Sequence, residues 1–376
     1  MLSSSVPILP PEVIDLIIDY LHDHPPTLRI CSLISRDWLG GSRYHLFNGL
    51  YLPARSFSSF RNLLKSPYNT MGFHLRHLHA TGLTHELTLL LSLLPSFSRL
   101  HSLNIYGNPL RYDDRVMTTG IFPFIHSLAL SRATLASYPT LSAFLSLFPA
   151  LKTLTLDRIF FDSQDDLMPP TLNLDLDSIK ITWAPGLFGW LRWTEFSLQA
   201  QSIDLDFELL EGGFPVERLL EYFRSIGTHL LRLRLKFRQP SQLAIFSEHP
   251  RLAHNTRLRC LRIGQAIWIR GEASVGIHLS LRRLLGYLES SGVEELTFDA
   301  ELISIYPGQH WSFPPPREVA IILDRGDFPR LQRITFVGPW DRPEDILRKQ
   351  FQSTMLALLP TQSARGIVHI NAGPNE

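Results

Sequence analysis

The chain has 376 residues, with 36 Lys and Arg against 35 Asp and Glu and a formal net charge of +1. That balance argues against a nucleic-acid-binding or membrane-binding field over the whole molecule. A hydrophobic fraction of 44% with 19% charged residues argues against wholesale disorder. The two cysteines, Cys31 and Cys260, give neither a disulfide framework nor a cysteine-built zinc site. No basic stretch opens the chain, and Pro7, Pro10 and Pro11 interrupt its first apolar residues, so no signal peptide is expected. The richest apolar run, LTLLLSLLPSF, is too short to span a bilayer. The expected setting is reducing, cytoplasmic or nuclear. The basic residues are almost all arginine; the lysines are Lys65, Lys152, Lys180, Lys236 and Lys349.

In chain order, the first predicted element is a helix opened by Leu9-Pro10-Pro11-Glu12, with proline where its missing N–H costs little. Val13, Ile14, Ile17, Ile18 and Leu21 give it a broad apolar stripe, which HDHPP ends. A second short helix starts near Thr27 and carries Leu28, Cys31 and Leu33. A third runs from Ser35 through Trp38 and Leu39. Three such helices offer more apolar surface than they can cover among themselves.

The stretch LPPEVIDLIIDYL…TLRICSLISRDW, continued by GGSRYHLFNGLYL, resembles an F-box over about 45 residues. The resemblance implies binding to a Skp-family adaptor, and through it to a cullin–RING ubiquitin ligase. Leu9, Pro10, Val13, Ile17, Leu21, Leu28, Leu33, Ile34 and Trp38 would make the adaptor contact, with Glu12 at the polar rim. Ile14, Ile18 and Cys31 would pack within the three helices or against the first repeats. The alternative is that the stretch is only an N-terminal cap on the repeats, which stacked folds require.

Past residue 70 the chain repeats. LRHLHA, LHSLNI, IHSLAL, LKTLTL, LDSIKI, AQSIDL, LLRLRL, LRCLRI, VEELTF, LQRITF and a fainter RGIVHI succeed one another. The steps are about 25 residues at first and about 28 to 38 later. Apolar–x–x–apolar–x–apolar reads as a turn into a short strand with one buried face. Helix-like segments lie between, at 84–94, 141–148, 216–226, 279–288 and 344–359. Proline in LFPALKTL, LLPSFSRLHSL and DFPRLQRI ends the helix and starts the extended segment. No unit of this kind buries its apolar face alone, so neighbours stack as parallel strands with helices outside.

This part resembles the leucine-rich-repeat family in irregular form. The asparagine or cysteine that such repeats carry after the third apolar position is missing, with Asn108 near the second copy as the nearest case. A doubly wound nucleotide-binding sheet would want a glycine-rich turn, and GEASVG at 271–276 is not one. The expected fold class is therefore α/β: a three-helix F-box at 5–50, a connecting segment at 51–74, and a curved leucine-rich-repeat-like solenoid over 75–376.

The strand residues between the apolar positions face the opposite surface, where a target would bind. His79, Asn104, Thr155, Lys180, Arg232, Arg234, Lys236 and Arg262 are the candidates on this row. Arg232, Arg234, Lys236 and Arg238 alternate along one strand after an acidic step at Asp204 and Asp206, which predicts a basic patch. Like charges on one strand face repel, and arginine forks suit an acidic or phosphorylated segment. The other reading is a solvated strand balanced by the neighbouring acids.

Other constellations are weaker. His74, His77, His79 and His85 cluster without a partner acid or cysteine at metal-binding spacing, so no metal is expected, and no cofactor motif occurs. No G-x-S-x-G elbow or Walker loop is present, and no enzyme activity is expected. WAPGLFGWLRW at 183–193 reads either as an exposed recognition loop or as a plug between repeats, and YPGQHWSFPPP at 306–316 is equally open. The sequence thus points to a substrate receptor of a ubiquitin ligase, with few lysines of its own to modify. The alternative is a repeat scaffold that never enters a ligase.

Overall fold

The computed structural model describes residues 9–67, 69–83, 86–110, 121–163, 172, 174–182, 187, 190, 198–207, 216–237, 239–268, 273–288, 292–301, 317–324, 328–338 and 346–372. Arg238, His85, the 306–316 loop and, apart from Leu187 and Trp190, the 183–193 loop lie outside the described residues. Within that loop Leu187 and Trp190 are both fully buried. The protein is mixed α/β and folds as two compact units. The first runs to Leu151 and includes Phe161–Ser163; the second takes Lys152–Phe160 and the described residues beyond Ser163.

Three helices open the first unit: α1 (Pro11–Tyr20), α2 (Pro25–Ile34) and α3 (Arg36–Asn48). Proline occupies the first turn of α1 and of α2, where no backbone donor is lost. His24 caps α2: its ring nitrogen accepts from Thr27 N at 3.4 Å and meets Thr27 Oγ1 at 2.6 Å. Ile14, Ile18 and Leu28 form the module's buried core, with Leu21, Trp38 and Leu46 packed against it. Gly41 lets α3 approach α1, since a Cβ there would meet Ile18 Cδ1 at 3.0 Å. His45 Nε2 donates to Asp19 Oδ1 at 2.8 Å across the same helix pair.

Strands β1 (Gly49–Pro53), β2 (His77–Thr81), β3 (Ser102–Leu110) and β4 (Ser127–Leu135) come next, each parallel to its successor. The apolar repeat positions come into register as Leu78–Leu103–Leu128 and Ala80–Ile105–Leu130. All six are buried. Helices Leu87–Leu93 and Tyr138–Leu145 return the chain between strands.

The two-residue β6 (Phe160–Phe161) is divided between the units; the second unit holds β5 (Thr153–Asp157), β7 (Leu174–Thr182), β8 (Leu198–Asp206) and β9 (Arg232–Lys236). Next come β10 (Cys260–Trp268), β11 (Glu295–Glu301), β12 (Arg333–Gly338) and β13 (Val368–Ala372). From β7 onward each strand pairs parallel with the next, and β5 pairs parallel with β7. One apolar ladder runs Leu154–Ile179–Ile203–Leu233–Leu261–Leu296–Ile334, and a second runs from Leu156 to Phe336. Every member of the first is buried, and each such side chain is worth about 1.5–3 kcal/mol relative to exposure. Helices Pro240–Ser247, Ala273–Gly286 and Arg317–Asp324 pack on one another in sequence.

Backbone bonds and buried amides satisfy the polar groups at the turns. Strand entries bond directly to the preceding strand: Arg259 N and Cys260 N both donate to Leu231 O, at 2.8 and 3.1 Å. Single buried amides close helix ends. Asn255 Nδ2 donates to Phe223 O and Gly227 O at 2.9 and 2.8 Å, at the end of helix Val216–Ile226. Gln362 Nε2 donates to Leu323 O at 2.7 Å near the end of helix Arg317–Asp324.

Candidate functional site

Three surfaces come from the residues singled out in the sequence, two in the first unit and one in the second. On the three-helix module, Leu9, Pro10, Glu12, Val13, Leu33 and Ile34 are exposed and Ile17 is half-buried. Leu28 is not at the surface: it is 1% exposed and belongs to the module core. Leu21 and Trp38, also expected at the contact surface, pack against that core. The cause is helical geometry. Ile14, Ile18 and Leu21 share one face of α1 at i, i+4 and i+7, and that face turns inward. The opposite face carries Val13, Leu16 and Tyr20.

Leu16, Tyr20 and Ile30 were not picked out from sequence, although they are 69%, 87% and 64% exposed. Together with Leu33 at 85%, they make the module's outer faces strongly apolar. The signal was an α1 that is apolar on two sides, which tells of a surplus but not of its direction.

In the second unit, alternate residues of β5 and β7–β11 line a trough of about 870 Å³. Thr155, Lys180, Arg232, Arg234 and Arg262 all line it. Lys236 does not; its Nζ is bound to Asp206 Oδ2 at 3.2 Å. The predicted basic patch is thus largely neutralised across strands. Arg234 Nη1 meets Asp204 Oδ2 at 3.3 Å. Arg262 Nε donates to both oxygens of Asp299 at 3.0 and 3.1 Å, and its Nη2 reaches Oδ1 at 2.9 Å. Arg259 lies 3.8 Å from Glu294, and Arg333 lies 3.5 Å from Glu295. Register puts an acidic strand on either side of the basic pair β9 and β10, which offsets the repulsion between their cations. Asp299 was overlooked in sequence, although it alternates with Glu295 and Thr297 on the same face.

Arg232 is exposed and makes no ion pair among the described residues. It stands in register with Ser202 and Cys260. Burial raises the Cys260 thiol pKa, as does the Glu295 carboxylate, against the opposing pull of Arg232. The thiol therefore keeps its proton, donating toward Glu295 Oε2 at 3.7 Å, and reacts more slowly than an ordinary cysteine.

His79 and Asn104 stand in register in the first unit and line a shallow groove of about 400 Å³ with Tyr51 and His77. The His79 and Tyr51 rings are 5.2 Å apart. Among the described residues, no three His, Cys, Asp or Glu side chains are grouped to hold a metal ion. No described helix is long and apolar enough to cross a membrane. Comparison of the chain with protein-family models and with curated proteins gave no match.

Proposed function

We propose that this protein is a substrate receptor of a Skp–cullin–F-box ubiquitin ligase, its N-terminal three helices binding the adaptor and its later strands holding the target. The observation that carries the reading is the outer apolar surface of α1 and α2. Leu16, Tyr20, Ile30, Leu33 and Ile34 are large, exposed and close in sequence, and so much exposed apolar surface on a small module favours a protein partner. The strand–helix repeats support the second half of the reading: in this view they are irregular leucine-rich repeats whose polar strand face is the target surface. Such a protein performs no reaction itself; it raises the local concentration of a target beside the ligating enzyme.

The test is capture of the full chain by a purified Skp-type adaptor, beside Leu16→Glu and Leu33→Glu variants. Capture by the native chain and its loss in the variants, with unchanged unfolding, is the expected result. A folded native chain that ignores the adaptor would leave the scaffold reading in its place.

A further inference from the structure

We propose that the trough of the second unit takes an extended peptide segment bearing two carboxylates about four residues apart, one held by Arg232 and the other by Lys180. This rests on reading the polar strand face as a target surface, and it names the target's chemistry. The cross-strand ion pairs carry the argument. Arg234 and Arg262 are held by carboxylates, and Arg259 lies beside one. Lys180 and Arg232 are exposed trough cations that make no ion pair among the described residues. A cation already held by a carboxylate has less attraction left for a ligand, so these two dominate recognition.

Their placement sets the spacing. Lys180 is opposite Asp204, and Arg232 is opposite Ser202, two residues earlier on the same strand. Two strand spacings and two residues of rise put their Cα atoms roughly 12 Å apart. That is the span of about four residues of extended chain, so two separate carboxylates suit it better than one compact dianion. The surface between them carries Ser202, side by side with Ser178 in register, and Asp204, whose charge is already taken up by Arg234. Asp177, Glu294 and Glu295 also line the trough and disfavour a carboxylate beside them, so the segment's acids belong at Lys180 and Arg232.

Cys260 supplies the reporter, since it lines the trough beside Arg232 while Cys31 is buried. The probe is a labelled peptide containing Glu-Ser-Gly-Ser-Glu, compared with Gln-Ser-Gly-Ser-Gln and with a copy holding one phosphoserine between two glutamines. The full chain is used without adaptor. Its affinity for each peptide is read by anisotropy, and occupancy of the trough by the rate of maleimide addition to Cys260. The expected result is protection by the diglutamate peptide and not by the diglutamine one. Arg232→Gln and Lys180→Gln should each weaken binding by roughly fivefold, the scale of an exposed charge pair, with unchanged unfolding midpoints. Equal protection by the diglutamine peptide, no protection by any peptide, stronger binding of the phosphoserine peptide, or indifference to both variants would overturn the proposal. Adaptor capture by the same preparations separates the two ideas. Capture without peptide binding sinks only the trough proposal, and peptide binding without capture sinks only the ligase reading.

Discussion

Gly264 on β10 lies directly opposite Lys236 on β9, and a Cβ at the glycine would meet the lysine Cβ and Cγ at 2.9 Å. The contact includes the lysine Cα at 3.1 Å, so the lysine cannot simply swing away. The glycine thereby lets the lysine stem lie flat while its amine reaches Asp206. Gly264→Ala should cost about 1–3 kcal/mol, the scale of overpacking. Urea unfolding measures it, and an unchanged midpoint would mean that the strands separate freely at this point.

Asn255 is fully buried, and its amide closes the end of helix Val216–Ile226 through two carbonyls. Removing the amide leaves both acceptors without that donor in a site water cannot easily enter. Asn255→Ala should therefore destabilise the chain by about 2–4 kcal/mol. Asn255→Ser, which keeps one short donor, should lose less. Equal losses in the two variants would show that volume and not hydrogen bonding sets the cost.

These two sites show what was legible in the chain. The ladder from Leu154 to Ile334 could be read because strand alternation has a period of two and any copy predicts the next. Helix Val216–Ile226 was readable for a similar reason, its apolar positions repeating at helical spacing. The charge pairs were legible only in part, as the alternative in which neighbouring acids balance the strand. Asp204 and Arg234 are 30 positions apart but hold the same place in the copies AQSIDL and LLRLRL. Arg262 and Asp299 are 37 apart and hold different repeat places, so that pair is not displayed by the alignment. Asn255 carried no signal because a single asparagine has no copy to compare it with. Helix Pro240–Ser247 has apolar residues on several sides, which conceals its period.

The three-helix module separates core from surface within a few residues. Leu28 sits in the buried cluster, whereas Leu33 is exposed. Leu28→Ala should cost about 2–5 kcal/mol through cavity formation. Leu33→Ala should stay within about 0.5 kcal/mol of the native chain. If adaptor binding is the function of this face, capture should follow the opposite order among folded chains, with Leu33→Ala weaker than the native chain despite equal stability. Stability and capture that fall together in Leu33→Ala would return this residue to a structural role.

His74 gives the chain a pH dependence. Burial lowers its pKa below the usual 6.5, and the nearby Arg99 and Arg43 lower it further. Its ring also stands edge-on to Tyr44, with centroids 6.4 Å apart. Between the lowered folded value and 6.5 the unfolded chain binds more protons than the folded one, so this residue's contribution to stability falls as the pH falls. The window opens as the pH drops through 6.5 and closes once the folded histidine protonates too. Comparing urea midpoints of the native chain and His74→Asn at pH 7.5 and 5.5 isolates it from the other histidines. The native chain should lose more on acidification than the variant; parallel losses would assign the effect elsewhere.

Asp299 holds Arg262 with both carboxylate oxygens, so its removal changes stability and trough charge together. Asp299→Asn keeps the volume but discards the charge-assisted pair. It should cost about 1–3 kcal/mol, since the remaining arginine is partly buried. The same change leaves Arg262 with its charge unspent in the trough, beside Arg234. If the trough recognises carboxylates, the diglutamate peptide should bind Asp299→Asn more tightly than the native chain, and added salt should weaken that gain. Opposite movement of the two measurements is the informative result, because a damaged fold would lower both. A variant that loses stability and peptide affinity in step would make the Arg262–Asp299 pair a support of the trough's shape, with its charge immaterial to the ligand.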